Sequence, residues 1–211
     1  MGASSDEAAV ERVLLKGWEN AAKAASAYGN PQSHPNIIPW VERMKAMGAP
    51  RKKFPSSIEA MVRRAGKGGQ PFRISPVVDF YNGISMKNIV PAGGFDLGQL
   101  ESDLLLRLSL EGDTFVALDS QEETPVSPGE VSYADGSKII TRHFVWKQAK
   151  HALLTEESNH ILFVSEILGE IPDAVLSSVR DDLIEGLREC FGITAECRIV
   201  DENNPYIDIT V

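Results

Sequence analysis

The hydrophobic period of this chain changes once, near Leu104, and that change constrains the fold more than any other feature. Upstream, apolar residues recur every three or four positions. Val10, Val13, Leu14, Trp18, Ala21 and Ala25 form one stripe, which predicts a helix over residues 4–28, with Ser4 and Glu7 as a capping box and Gly29-Asn30-Pro31 as its stop. A second helix is expected over 35–47, with Ile37, Trp40, Val41 and Met44 facing inward and Gly48 and Pro50 ending it. A third begins after Ser56, capped by Ser56 and Glu59; it buries Ile58, Met61 and Val62 and carries Arg63 and Arg64 near its C-terminal turn. Ser75-Pro76 starts a fourth, whose inward candidates are Val77, Val78, Tyr81, Ile84 and Ser85. Downstream, LLLRLSL, TFVAL, EVSYAD, KIITRHFVW and HILFVSE read as strands separated by Gly, Pro and Asp clusters. A last helix over 172–191 places Val175, Leu176, Val179, Leu183, Leu187 and Cys190 on one side, and AECRIV and YIDITV alternate as two closing strands. Helices that precede strands, instead of alternating with them, predict an α+β fold. No repeat or long linker divides the chain, so residues 1–211 are expected to form a single domain.

Composition narrows the setting. With 211 residues, 43% of them hydrophobic, the chain can bury a sizeable core. No run approaches the roughly 20 apolar residues that span a bilayer, so no membrane partner is expected. The N-terminus is acidic and lacks an apolar signal core; Met1-Gly2 followed by Ser5 has the form of a myristoylation start and is read as incidental. Cys190 and Cys197 are expected to be buried free thiols, and a cytoplasmic location follows. The net charge of −9 argues against general affinity for nucleic acid. Residues 41–73, however, hold nine basic and two acidic side chains, a local +7 that leaves −16 on the remainder. Such a strip either holds a phosphate backbone locally or is a solvated face of two helices and a turn.

Several kinds of chemistry lack their signatures. There is no GxxxxGK[ST] phosphate loop, no GxGxxG after a strand and no GxSxG elbow. Gly66-Lys67-Gly68-Gly69 reads as a helix stop and not as a phosphate cradle. His34, His143, His151 and His160 are scattered, and the two cysteines have no His pair near them, so neither a metal nor a cofactor is expected.

Residues 57–96 carry the most specific signal: SIEAMVRRAGKGGQPFRISPVVDFYNGISMKNIVPAGGFD. This run resembles the B3/B4 domain of the phenylalanyl-tRNA synthetase beta subunit. It is closer still to the stand-alone proteins that carry that domain without a synthetase. The resemblance extends over residues 34–166 and implies a central mixed or antiparallel sheet flanked by helices. Asp79, Asn82, Pro91, Phe95 and Asp96 match the synthetase motifs. The stand-alone pattern is matched by Ser57, Glu59, Arg63 and Arg64, by Asp79, Asn82 and Ser85, by the bulky basic segment Thr141–Gln148, and by Tyr133–Asp135 after Pro128-Gly129-Glu130.

The resemblance implies tRNA or aminoacyl-tRNA as partner, with hydrolysis of mischarged aminoacyl-tRNA in trans as the activity. Two departures from the synthetase editing site bear on this. Gly93 stands where the turn histidine is expected, and TRHFVWKQ replaces a glycine-rich loop. The acidic residue of that site has no evident counterpart, since Lys150 or His151 falls in its place. The residues assigned to catalysis are Asn82, Ser85 and Asp79, spaced by three along one helix. Those assigned to ligand or tRNA are Arg63, Arg64, Gly93, Arg142, Trp146 and Lys147. On a continuous strand, Arg142, Phe144 and Trp146 share a face on which an adenine could stack. Asp79 and Asn82 equally suit tying helix ends to loops, and Arg142 a salt bridge; Glu59 and Glu130 are read as partners for arginine in preference to general bases. Two other readings stay open: a non-catalytic pocket for an amino-acid-like molecule, which the loss of the histidine suits, and a protein-interaction module using the acidic surface. Aminoacylation by the chain itself is excluded, because no ATP-binding synthetase core is present. The sequence assigns no oligomeric state.

Overall fold

The computed structural model describes residues 5–49 and 52–209. Helices come first. They are α1 (Glu7–Tyr28), α2 (Ile38–Ala46), α3 (Ser57–Gly66) and α4 (Pro76–Asn88). Ser4, proposed as the first cap, lies outside the described residues, as do Met1, Gly2, Pro50 and Arg51. The cap of α1 is Asp6, whose Oδ1 accepts from the Ala9 N–H at 3.0 Å. Ser56 caps α3 and Ser75 caps α4, each accepting from the N–H three residues on. Their hydroxyls satisfy donors that a helix start otherwise leaves unpaired.

Helix α1 crosses α4 at two glycines. A Cβ on Gly17 would stand 2.1 Å from the Gly83 carbonyl oxygen, and one on Gly83 would stand 2.8 Å from the Val13 carbonyl. The two backbones therefore touch, with Leu14, Val10, Ile84 and Tyr81 buried around the crossing. Helix α5 (Asp173–Phe191) closes this layer and buries Val179, Leu187, Cys190 and Phe191 with Val78 and Phe80 of α4. No helix of the described residues is long and apolar enough to cross a membrane.

The strands divide into two sheets. β1 (Ala92–Asp96) leaves α4 and pairs antiparallel with β8 (Ile161–Ser165), setting Gly93 opposite Val164. β2 (Leu104–Leu108), β3 (Thr114–Val116), β4 (Glu123–Pro125), β5 (Val131–Asp135), β6 (Lys138–Arg142) and the two-residue β7 (Lys147–Gln148) form the second. Its order is β2-β5-β6-β3-β4, with β7 on β6; the β3–β6 pair is parallel and the others antiparallel. The α+β reading holds, and the sheet is mixed.

Three expectations are corrected. The segment KIITRHFVW is not one strand: β6 stops at Arg142 and residues 143–146 form a turn. AECRIV and YIDITV form no strand among the described residues, and Ile199, Val200 and Tyr206 are exposed. Alternation makes a segment fit to pair, but a strand needs a neighbouring edge, and none meets this one. Cys197 lies in that segment and is exposed, whereas Cys190 is buried as expected.

Candidate functional site

The turn at 143–146 is the least relaxed backbone near a cleft. His143 and Phe144 both have left-handed φ, +46° and +63°. For residues with a Cβ that costs roughly 1–2 kcal/mol each, and it persists only where neighbours over-determine it. They do so here. The Glu130 carboxylate accepts from Arg142 Nε and Nη2 at 2.6 and 2.7 Å and from the His143 N–H at 2.7 Å. The Phe144 N–H donates to the Val131 carbonyl at 2.7 Å, and the Ser57 N–H, at the start of α3, donates to the Val145 carbonyl at 3.0 Å. Burial pushes the Glu130 carboxyl up, but Arg142 and the His143 N–H outweigh it and hold the pKa below its ordinary value.

The kink separates side chains that a straight strand would have aligned. Phe144 turns inward against Trp40, with ring centroids 5.3 Å apart, and packs in a core with Val145 and Ile171. Trp146 stays half-buried beside Phe54. Arg142 is fastened to Glu130 below the turn. The expected shared face of Arg142, Phe144 and Trp146 is thus replaced by three different surroundings, because the strand ends before it can set the alternation.

A cleft of about 90 Å³ opens between this turn, β1, the start of α3 and the end of β8. Its walls include Gly93, Thr141, Trp146, Lys147, Gln148 and Glu166. Gln148 ties the hairpin to β1 by donating to the Gly94 carbonyl at 3.1 Å. A Cβ on Gly93 would meet no atom within 4 Å, so the cleft is open where a histidine was expected.

Glu166 is the acid the sequence did not reveal. It follows β8 directly, and burial pushes its carboxyl up to about 7, offset in part by the Tyr133 hydroxyl. Tyr133 is itself raised, by burial first and then by the Glu166 charge. Its ring packs between Phe95 and Phe144, with centroids 5.3 and 6.1 Å away. An ionisable group desolvated in a cleft is a candidate for acid–base work. Lys150 and His151, which sit at the expected position of this acid, do not line the cleft. His151 instead pairs with the buried Asp135 at 2.7 Å.

Of the residues assigned from sequence, Gly93, Trp146 and Lys147 come together here. The α4 residues do not. The Ser85 hydroxyl is fully buried and donates to the Val90 carbonyl at 2.5 Å. Asp79 caps the approach to α4, accepting from the Ile74 N–H at 2.9 Å, and lies at a separate groove with Arg73, Glu7 and Glu11. Asn82 is half-buried on α4 and lines neither. Arg63 pairs with the buried Glu59, and Arg64 lies 3.8 Å over the Phe72 ring and donates to the Gln70 carbonyl. Both arginines are on the far end of α3, roughly 9 Å along the helix from Ser57. Spacing by three put the α4 groups on one side of a helix, but that side faces the core at Ser85 and a separate groove at Asp79, and is not a wall of the cleft.

No curated protein matches the chain. A family model described as the B3/4 domain matches residues 41–174, a span that runs from α2 to the first turn of α5 and includes every wall of the cleft. The chain belongs to the B3/4 domain family.

Proposed function

We propose that this domain receives the aminoacyl end of a tRNA in the cleft and hydrolyses a wrongly attached amino acid in trans. The observation that carries the reading is the Glu166 carboxyl, held in the cleft with a pKa of about 7. Near neutral pH such a group exists in both protonation states, which suits general acid–base catalysis. As base, Glu166 takes a proton from a water that attacks the ester carbonyl. The new bond is from water oxygen to carbonyl carbon; the bond that breaks joins that carbon to the ribose oxygen. The proton held by Glu166 then passes to the departing ribose oxygen, leaving a free amino acid and an uncharged tRNA. Lys147 is the cation of the cleft wall. It lies 3.7 Å from an exposed Asp119, a loose pair that leaves it available to a developing negative charge.

The test is deacylation of tRNAs charged with each natural amino acid, by the wild-type protein and by Glu166→Gln. Hydrolysis of one or a few, slowed about 10²- to 10⁴-fold in the variant, supports the reading. A folded protein that deacylates none overturns it.

The open space at Gly93 favours a second reading, a pocket that binds an amino-acid-like molecule without acting on it. Calorimetric binding of a free amino acid by a protein inactive on every charged tRNA distinguishes this case.

A further inference from the structure

Beside the cleft, Phe54, His143 and Trp146 form an aromatic group that lies outside the apolar cores of the described residues. The Phe54 ring centroid is 3.8 Å from that of His143 and 4.6 Å from that of Trp146, and the last two are 5.6 Å apart. Phe54 and Trp146 are half-buried, and the His143 side chain behind them is 15% exposed. Lys52 and Lys53 are exposed, and Lys53 Nζ stands 5.2 Å from the Phe54 centroid. Lys147 follows Trp146 and lines the cleft. Burial, together with the Arg142 and Lys53 charges, outweighs Glu130 and keeps His143 below its ordinary pKa. Its Nε2 is enclosed without a hydrogen bond, 3.5 Å from Glu130 Oε2.

Partly exposed rings beside a lysine are what an unpaired nucleotide requires: a π face for the base and a cation for the phosphate beside it. The acidic balance of the rest of the chain confines that attraction to this corner. The strained turn has the same consequence. It drives Phe144 into the core while leaving His143 and Trp146 outside, against a Phe54 supplied by a different segment. We propose that Phe54 and Trp146, backed by His143, form a stacking platform for a terminal nucleobase, with Lys53 meeting the phosphate next to it. The proposal rests on the reading that the cleft takes the aminoacyl end of tRNA, because Trp146 belongs to both. It also moves base recognition away from Arg142 and Phe144.

The probe is a short fluorescent single-stranded RNA ending in CCA, with no amino acid attached, followed by anisotropy at low salt. Wild-type protein is expected to bind it. Phe54→Leu, which keeps the apolar bulk and removes the ring, weakens binding about tenfold, and Phe54→Tyr restores it. Lys53→Ala lowers the slope of log affinity against log salt by about 0.7. Equal binding by wild type, Phe54→Leu and Trp146→Leu, or no binding by folded wild type, overturns the platform. Because the probe has no ester, the outcome is independent of hydrolysis. Phe54-dependent binding by a protein that deacylates nothing overturns the hydrolytic reading alone. Deacylation by a protein whose probe binding ignores Phe54 overturns the platform alone.

Discussion

Arg142 and Glu130 are joined by two hydrogen bonds, 2.6 and 2.7 Å long, with the Glu130 side chain 7% exposed and that of Arg142 21%. The same carboxylate accepts from the His143 N–H, so one ion pair anchors both the end of β6 and the strained turn. Arg142→Ala leaves a buried carboxylate without its cation. The expected loss is about 3 kcal/mol, since Arg142 keeps some contact with water. Urea unfolding measures it. A loss under about 0.5 kcal/mol would mean that the pair does not hold the turn.

Glu166 makes stability depend on pH in a stated direction. Its folded pKa, about 7, lies above the ordinary value of 4.5. Between those values the folded state binds more protons than the unfolded one, so stability falls as pH rises from about 4.5 to 7 and then levels. Glu166→Gln should abolish that part of the slope. Urea midpoints measured at intervals from pH 4.5 to 8 read it out, and parallel curves for the two proteins would place the carboxyl in water. Deacylation, if Glu166 is the base, rises with pH through an inflection near 7.

Two glycines should respond oppositely. Gly83→Ala forces a methyl against the Val13 backbone, which has no flexible end to yield. We expect about 2–3 kcal/mol of destabilisation. Gly93→Ala meets open space and should change stability by less than about 0.5 kcal/mol while narrowing the cleft. Thermal or urea denaturation of the pair separates a packing glycine from a site glycine; equal losses would count against this distinction.

Ser85 tests whether the polar side chains of α4 serve the fold or the ligand. Ser85→Ala removes a side-chain donor to the Val90 carbonyl, at a cost of about 1–2 kcal/mol. Deacylation by the folded fraction should remain at the wild-type rate. A lowered kcat at unchanged stability would return Ser85 to the site.

Much of the fold was legible because its cues are local. Ser56 and Ser75 cap α3 and α4 where a serine precedes an apolar-periodic run, and the change of period at Leu104 marks the start of the second sheet, but β1 (Ala92–Asp96), expected as a turn, comes before it. The site was legible in part. Gly93, Trp146 and Lys147 do line one cleft. Asp79, Asn82 and Ser85 do not, because periodicity says which residues share a side of α4 but not what that side faces. The His143–Trp146 turn was missed for a related reason. β-branched and aromatic residues favour strand, yet the Glu130 contacts and the Ser57 N–H bend the chain there.

The sequence by itself determined the order of the helices, the serine caps of α3 and α4, and membership of a family. These are properties of near neighbours along the chain. Only the tertiary structure decided which ionisable group is desolvated and which is paired. Glu166 and Glu130 are the same residue type, 36 positions apart. One is pushed up by burial in the cleft, and the other is held down by Arg142 and a backbone N–H. The difference is set by distances of a few ångströms between segments remote in sequence, where the energy of a charge depends on the water and the partners around it.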